Sequence, residues 1–280
     1  MLLRENEPLS LHTTLKIGGP ARLYAEPETL EELCTLWRSA KNPFLLGNGS
    51  NLLFSDAAHD LTVISTLRLA QVRVEGEIVE AQCGARLGQV AQAAQRAGLA
   101  GLAFAHGIPG TLGGAVYMNA GAYGGEMKDV VEAVTVLRGG EMVTIPGAAC
   151  GFSYRRSRFA ETGEPILSAR LRLTPGDPAE ILAQMKELME KRRAKQPLEL
   201  PSAGSTFKRP PNDFAARLID EAGLRGLTRG GAQVSEKHAG FLVNRGGATF
   251  TDFYGLMEEV KARVYARSGV LLEPEVKIVR

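Results

Sequence analysis

The fold is indicated most directly by residues 107–114, which read Gly107-Ile108-Pro109-Gly110-Thr111-Leu112-Gly113-Gly114. An earlier segment, residues 47–51, has a similar character and reads Gly47-Asn48-Gly49-Ser50-Asn51. Both segments expose backbone N–H groups and carry little side-chain bulk, which is what a bound pyrophosphate requires. Neither matches the G-x-G-x-x-G pattern that follows a strand in Rossmann folds. We therefore expect two glycine-rich loops that hold one extended dinucleotide, in a fold that is not of the Rossmann type.

The second loop continues into a run of small residues. Glycine and alanine occupy seven of the twelve positions from 113 to 124. So many small residues are unusual for an ordinary packed helix, and they permit close approach of a flat ligand to the backbone, which is the interpretation we favour. A helix packed tightly against a sheet is the alternative that stays open.

Hydrophobic patterning predicts a chain of mixed helices and strands. Thr29 is placed to cap a helix, alternating residues from position 72 predict a hairpin, and Asp177 is placed to cap a further helix. A long helix is expected from 251 to 268, and closing strands are expected from 271 to 279. We divide the chain into two N-terminal units at 1–68 and 69–175, a third unit at 176–270 and a terminal strand at 271–280.

The composition of the 280 residues excludes several classes of protein. Hydrophobic residues make up 44% and charged residues 23%, as in ordinary globular proteins, and a net charge of +2 argues against nucleic acid or a membrane surface as a partner. Cys34, Cys83 and Cys150 are isolated in sequence, so neither a disulfide framework nor a metal site is expected. The charged N-terminus and the lack of an apolar run of about 18 residues lead us to expect a soluble, cytoplasmic protein.

Three further segments carry residues suited to chemistry. Residues 152–159 contain three arginines among aromatic residues, and a guanidinium there could bind a carboxylate or a developing enolate. Ser205 lies on an expected loop, and Glu275 lies at the mouth of an apolar terminal strand. Taken one at a time, these features are ordinarily a surface cluster, a turn serine and a surface carboxylate. The basic tract at 191–195 is ordinarily a solvated helix end.

In their order along the chain, these segments resemble the UDP-N-acetylenolpyruvoylglucosamine reductases. The matching motifs are residues 13–19, 47–51, 107–110 with 120–122, 152–159, 204–208, 230–244 and 273–276. They extend over nearly the whole chain. The resemblance implies an α+β flavin-binding fold of the vanillyl-alcohol oxidase type, in which two N-terminal subdomains hold FAD and a C-terminal domain covers the substrate.

The resemblance also implies the cofactor and the partners. FAD is expected to be bound non-covalently, and NADPH is expected as the hydride donor for reduction of UDP-N-acetylglucosamine enolpyruvate to UDP-N-acetylmuramate. The two nucleotides are expected to use one pocket in turn, and the protein is expected to be a monomer. The residues assigned to the cofactor are Gly47, Asn48, Gly49, Ser50, Asn51, Gly107, Ile108, Pro109, Gly110, Thr111, Gly113, Gly114, Asn119, Gly121 and Ala122.

Catalytic roles follow from the same resemblance. Ser205 is expected to protonate C2 of the substrate after hydride addition, while Arg155 and Glu275 are expected to support the enolate-like intermediate. The chain resembles a shorter branch of the family, because residues 166–177 leave no room for the tyrosine-bearing loop of other members. The residues assigned to substrate binding are Tyr154, Lys195, Lys208 and His238.

Two other interpretations remain. The first is another FAD-dependent oxidase or dehydrogenase on the same fold, which often attaches its flavin through histidine; His106 alone neighbours a glycine-rich loop. The second is a non-catalytic flavin module for electron transfer, which would have no need of Arg155, Ser205 and Glu275.

Overall fold

A computed structural model describes all 280 residues, which form two compact units. Of the predicted segments, 69–175 lies wholly in the first unit and 271–280 wholly in the second, whereas 1–68 and 176–270 contribute to both. The division into four segments stays a prediction. The first unit comprises Met1–Arg4, Leu23–Asn48 and Leu61–Arg192, and the second comprises Glu5–Arg22, Gly49–Asp60 and Arg193–Arg280.

Strands and helices are mixed along the chain. The strands are β1 (Leu2–Pro8), β2 (Pro20–Glu26), β3 (Pro43–Leu46), β4 (Leu52–Phe54), β5 (His59–Ser65), β6 (Val72–Glu75), β7 (Ile78–Gln82), β8 (Leu99–Ala100), β9 (Gly121–Ala122), β10 (Gly125–Glu126), β11 (Val131–Arg138), β12 (Glu141–Pro146), β13 (Ile166–Arg172), β14 (Thr174–Pro175), β15 (Thr228–Arg229), β16 (Ala232–Val234), β17 (Leu242–Asn244) and β18 (Lys277–Val279). The helices are α1 (Leu30–Ser39), α2 (Leu87–Arg96), α3 (Leu112–Tyr117), α4 (Phe159–Thr162), α5 (Pro178–Lys195), α6 (Ala215–Glu221) and α7 (Phe250–Ser268).

The first unit is built around an antiparallel sheet with the strand order β12-β11-β13-β7-β6. The predicted hairpin from residue 72 is confirmed as β6 and β7. Helix α3 contacts both β7 and β13 in the middle of this sheet, and α2 contacts β6 and β7. Fully buried residues such as Val79, Val90 and Leu171 join the sheet and these helices in one hydrophobic core.

Helix starts in the first unit follow the sequence closely. The Thr29 hydroxyl accepts a hydrogen bond from the backbone N–H of Glu32 at 3.2 Å, and the Asp177 carboxylate accepts one from the N–H of Ala179 at 2.8 Å. Both predicted caps are therefore confirmed, since each satisfies a backbone donor that the first helical turn leaves unpaired. The chain passes from β13 through the two-residue β14 to α5, with no long loop between them.

The run of small residues forms α3 and then the β9–β10 hairpin. A Cβ at Gly113 would lie 3.0 Å from the Cβ of Cys83 and 3.1 Å from its carbonyl oxygen. Glycine at this position is therefore explained by close packing of α3 on the sheet, and its predicted contact with a cofactor stays a prediction.

The second unit has its own core beneath helix α7. Thr249 and Asp252 form a capping box at the start of α7, which ends at Gly269 in the left-handed region. Antiparallel strands β15-β16-β17 and the parallel pair β18-β4 accompany this helix. The closing strand is shorter than predicted, because β18 is preceded only by an isolated bridge between Phe207 and Pro274. Proline has no N–H to continue a regular ladder at that point.

Candidate functional site

Residues of the two glycine-rich loops meet within the first unit. The Asn48 side-chain amide donates to the carbonyl oxygen of Pro109 at 2.7 Å. A Cβ at Gly47 would lie only 2.5 Å from the Thr111 hydroxyl oxygen, so no larger residue fits there without movement. The second loop is fixed in turn by backbone hydrogen bonds from Leu87 to Gly110 and from Leu112 to Ala85.

The loops border a cavity of ≈ 340 Å³ in the first unit. Two buried polar atoms beside it, His106 Nδ1 and the Thr111 hydroxyl oxygen, have no hydrogen-bond partner in the protein. Leaving such groups unpaired costs about 1–3 kcal/mol each, so they suit a polar ligand that supplies the partners. The lining residues are Asn48, Arg86, Gly88, Gln89, Gln92, His106, Gly107, Ile108, Pro109 and Gly110.

Arg192 on α5 adds a positive charge beside this loop. Its Cδ would lie 3.2 Å from a Cβ placed at Gly107, its Nε is buried without a partner, and it forms no ion pair with a carboxylate. Burial lowers the pKa of Arg192, because a desolvated guanidinium loses part of its hydration. A half-buried, unpaired cation next to a glycine-rich loop is suited to an anion. The sequence interpretation of a solvated helix end missed this residue, since burial of one cation in a basic tract has no local signal.

Arg155 occupies a tight turn in the first unit. Ser153 and Arg156 exchange two backbone hydrogen bonds of 3.0 and 3.1 Å across the turn, and Arg155 has a φ of +53°. Its Nη2 donates to the carbonyl oxygen of Gly121 at 3.2 Å, and its guanidinium lies 5.3 Å from the ring centroid of Tyr154. The side chains of the two predicted residues Arg155 and Tyr154 therefore lie against each other.

Ser205 and Glu275 lie on neighbouring segments of the second unit. The backbone N–H of Glu275 donates to the carbonyl oxygen of Thr206 at 2.8 Å. The backbone N–H of Lys208 donates to the carbonyl oxygen of Glu273 at 2.9 Å. Asn51 also lies in the second unit, and its side-chain amide donates to the carbonyl oxygen of Glu275 at 3.1 Å. The structure thus brings the segment that carries Ser205 beside Glu275 and Asn51, although these residues are widely separated in sequence.

The remaining predicted substrate residues also lie in the second unit. Lys208 forms an ion pair with Glu273. The Nδ1 of His238 accepts a hydrogen bond from the N–H of Gly240 at 3.1 Å, which leaves Nε2 to carry the ring proton. Burial lowers the pKa of His238, and the positive charges of Arg225 and Lys195 contribute in the same direction. The roles of Lys195, Lys208 and His238 in substrate binding stay predictions.

Asn119 differs from the other predicted cofactor residues. Its side chain is fully buried, and both amide protons are bonded within the protein, one to Glu126 and one to the carbonyl oxygen of Ser153. No amide proton of Asn119 is left for a ligand. Its contact with a cofactor stays a prediction, as do those of the other assigned residues.

Two further observations concern the whole chain. None of its helices combines the length and apolar character needed to cross a bilayer. No group of three or more His, Cys, Asp or Glu side chains is arranged to hold a metal ion.

The fold and the two loops define a flavin-binding α+β protein: residues 21–145 match the family model of the FAD binding domain. Residues 196–279 match the model of the UDP-N-acetylenolpyruvoylglucosamine reductase C-terminal domain. The chain belongs to the UDP-N-acetylenolpyruvoylglucosamine reductase family, because curated members are 48% identical over nearly its full length.

Three relatives illustrate the similarity. The reductase of Lactobacillus delbrueckii subsp. bulgaricus is 48% identical over 99% of this chain and 95% of its own length. That of Caldanaerobacter subterraneus subsp. tengcongensis is 48% identical over 98% of this chain and 92% of its own length. The crystal structure of the Thermus caldophilus reductase is similar with a TM-score of 0.85 and 37% identity, covering 100% of this chain and 98% of that one.

The residues at the cavity fit FAD. The cofactor carries a pyrophosphate with two negative charges, and the first unit offers the buried, unpartnered Nε of Arg192 beside the glycine-rich loop at Gly107. The unpartnered Thr111 hydroxyl and His106 nitrogen can hydrogen-bond to its polar groups.

Proposed function

We propose that this protein reduces the enolpyruvyl group of UDP-N-acetylglucosamine enolpyruvate to the D-lactyl ether of UDP-N-acetylmuramate, a step in peptidoglycan precursor synthesis. FAD is the bound cofactor and NADPH the hydride donor. Family membership over the full chain supports the reaction. The observation that carries the proposal is the pairing of the Ser205 and Glu275 segments through Thr206, with Asn51 bonded to Glu275. A flavin module that only transfers electrons would not need this arrangement.

Arg155 serves the substrate carboxylate. Bound flavin would supply the hydride for C3 of the enolpyruvyl group, with NADPH as its source. Negative charge then develops on the substrate, and a donor aimed at that charge can stabilise the transition state by roughly 3–4 kcal/mol. The guanidinium is suited to this task because it is permanently charged and presents several N–H donors in a fixed plane.

Ser205 supplies the proton that C2 receives. A serine hydroxyl is a weak acid, but the carbon it faces is strongly basic, and a well-placed general acid contributes about 10²–10⁴ in rate. Glu275 can assist only in its protonated form, as a hydrogen-bond donor, because an ionised carboxylate would repel the growing charge. Lys195, Lys208, His238 and Tyr154 would bind the sugar nucleotide through their cationic and polar groups.

The cofactor is held by the loops already described. Gly47 and Gly107 allow close approach of the pyrophosphate to the backbone, and Arg192 adds a positive charge. The N–H of Gly110 is donated to the carbonyl oxygen of Ile108 at 2.9 Å, so Gly110 shapes the loop instead. Attachment is non-covalent, so FAD should be released intact when the protein is denatured. A covalent adduct would instead favour an oxidase of the same fold.

The visible spectrum of the purified protein tests the function directly. The protein should be yellow, lose its visible flavin absorbance on anaerobic addition of NADPH, and regain it when UDP-N-acetylglucosamine enolpyruvate is added. UDP-N-acetylglucosamine, which lacks the alkene, is the control and should not restore the colour. Failure of the enolpyruvyl nucleotide to restore colour in a protein that NADPH has bleached would overturn the proposed substrate.

Three finer proposals accompany this function. NADPH and the sugar nucleotide use one pocket in turn. Double-reciprocal plots of initial rate against NADPH concentration, at several fixed low concentrations of the sugar nucleotide, should therefore give parallel lines. Intersecting lines would contradict a shared pocket.

The protein acts as a monomer, so light scattering should give a mass close to 30.0 kDa. It acts in the cytoplasm, where its nucleotide substrates occur, without nucleic acid or membrane as a partner.

A further inference from the structure

The segment that carries Arg155 is attached to the end of α3 at three points within the first unit. The Asn119 amide donates to the Ser153 carbonyl oxygen at 3.0 Å. The Nη2 of Arg155 donates to the Gly121 carbonyl oxygen at 3.2 Å. The Ser157 hydroxyl donates to the Tyr117 carbonyl oxygen at 2.7 Å. Alternate residues 153, 155 and 157 are thus each bonded to the stretch 117–121. The position of Arg155 therefore depends on this attachment.

The bond from Asn119 acts at the turn itself. The Ser153 carbonyl oxygen accepts two hydrogen bonds, one from the Arg156 N–H that closes the turn and one from the Asn119 amide. Arg155, inside the turn, has a φ of +53°. A non-glycine residue in this region is strained by about 1–2 kcal/mol, and such strain persists only where surrounding contacts hold it. The Asn119 amide is one of those contacts.

Asn119 is itself held rigidly. Its second amide proton is donated to the Glu126 carboxylate at 2.7 Å, and its side-chain oxygen accepts from the Lys128 N–H at 2.9 Å. The side chain is fully buried, and its own φ of +43° lies in the left-handed region that asparagine tolerates better than most residues. A buried side chain with every donor used has a single orientation, so it can fix another residue.

We propose that Asn119 is a positioning residue for the reaction: by holding the Ser153 carbonyl oxygen, it keeps the strained turn that presents the Arg155 guanidinium to the substrate. The effect on catalysis rests on the proposed role of Arg155. The Asn119 side chain uses both amide protons and its oxygen within the protein, so its effect passes through Arg155. Ser157 supports the same segment from its other end, with a smaller expected contribution because its bond does not involve the turn.

A double-mutant cycle between Asn119 and Arg155 tests the proposal. Asn119→Gly removes the amide while keeping the left-handed backbone free of strain. Turnover of the enolpyruvyl nucleotide should fall by about 10- to 100-fold, the scale expected when a binding group moves by about 1 Å. The rate at which NADPH bleaches the protein should stay unchanged. In an Arg155→Ala background, Asn119→Gly should cause little further loss, because its effect passes through Arg155.

Further variants keep the test decisive. Asn119→Asp keeps the size but places an acceptor against the Glu126 carboxylate and the Ser153 carbonyl, and it should not restore turnover. Thr62→Val is the matched control, because Thr62 is also a buried polar residue of the first unit. The change removes the hydrogen bond from its hydroxyl to the carbonyl oxygen of Lys41 at 3.0 Å and should leave turnover intact. If Asn119→Gly fails to fold, Ser157→Ala takes its place in the cycle and should show the same non-additive loss at a smaller size.

The outcomes separate this proposal from the proposed function. Three outcomes would overturn the positioning role. The first is that Asn119→Gly lowers turnover by the same factor in the Arg155→Ala background as in the wild-type protein. The second is an equal loss in the rate of bleaching by NADPH, and the third is full turnover in folded Asn119→Gly. A wild-type protein that is bleached by NADPH but not reoxidised by the enolpyruvyl nucleotide would overturn the function instead.

Discussion

At the scale of single residues, Ser205 depends on the backbone around it. Gly204 before it has a φ of +75°, a conformation that glycine adopts without cost. Thr206 after it donates its N–H to the Gly240 carbonyl at 2.9 Å and accepts from the Glu275 N–H. The hydroxyl is thus carried by a segment that the backbone hydrogen bonds of Thr206 hold in place. For a weak acid, that fixed placement matters more than its intrinsic acidity.

Replacement of Ser205 separates the two halves of the reaction. Ser205→Ala should still be bleached by NADPH, whereas complete turnover should fall by about 10²–10⁴, since no side chain would deliver the proton to C2. Stopped-flow absorbance and steady-state assays measure the two quantities. Ser202→Ala, in the same segment, is the control and should retain turnover. Near-normal turnover in Ser205→Ala would remove this residue from the proton-transfer step.

Arg192 should contribute to cofactor affinity, although it lies outside the matched FAD binding domain at residues 21–145. Arg192→Met keeps most of the buried stem and removes the charge. A hydrogen bond to a charged group contributes about 1.5–3 kcal/mol, so the Kd for FAD should rise about 10- to 100-fold. Fluorescence titration of apoprotein measures this Kd without any assay of activity. Arg193→Met is the exposed control, and equal affinity in the two variants would contradict the assignment.

At the scale of helices and strands, local signals were sufficient where the partners are close in sequence. The caps at Thr29 and Asp177 and the hairpin of β6 and β7 involve residues a few positions apart, so the sequence alone predicted them. The short β18 could not be predicted, because it depends on where Pro274 meets Phe207. The bond between Asn51 and Glu275 joins residues 224 positions apart, and only the folded chain reveals it.

The capping box of α7 gives a direct test at this scale. The Thr249 hydroxyl accepts a hydrogen bond from the Asp252 N–H at 3.1 Å. Thr249→Ala should lower the free energy of unfolding by about 1 kcal/mol, the usual effect of losing an N-cap side chain. Thr251→Ala, an exposed position in the same turn, should be neutral or slightly stabilising because alanine favours helix. Urea unfolding measures the free energy of unfolding of both variants, provided that its dependence on urea concentration is unchanged. Equal stability of the two variants would contradict a stabilising cap.

At the scale of the whole molecule, the order of motifs was more informative than any one of them. A glycine-rich loop, a turn serine or a surface arginine is common, but their combined order over nearly 280 residues predicted the family that the comparisons confirm. The two compact units were not predictable with the same accuracy. Each unit gathers segments from distant parts of the chain, and only the packing of the separate cores defines them.

The cysteines offer a probe of one unit alone. Cys34, Cys83 and Cys150 are all free and buried, and all three belong to the first unit. Burial raises the pKa of Cys83 to about 12 and that of Cys150 to about 11, so neither forms the reactive thiolate at neutral pH in the folded state. Reaction of these thiols therefore requires opening of the first unit.

A thiol reagent should consequently report cofactor binding through stability. Native protein should react slowly with a disulfide reagent at pH 8, whereas urea-unfolded protein should release three equivalents of the chromophore. Added FAD should slow the reaction of apoprotein further, since a ligand present at about 100 times its Kd stabilises the folded state by about 2.7 kcal/mol. Cys83→Ser and Cys150→Ser variants assign the slow phases. Rapid reaction of any of the three thiols in the folded holoprotein would contradict their burial. If added FAD did not change the rate at which the apoprotein thiols react, the cofactor would not stabilise the first unit.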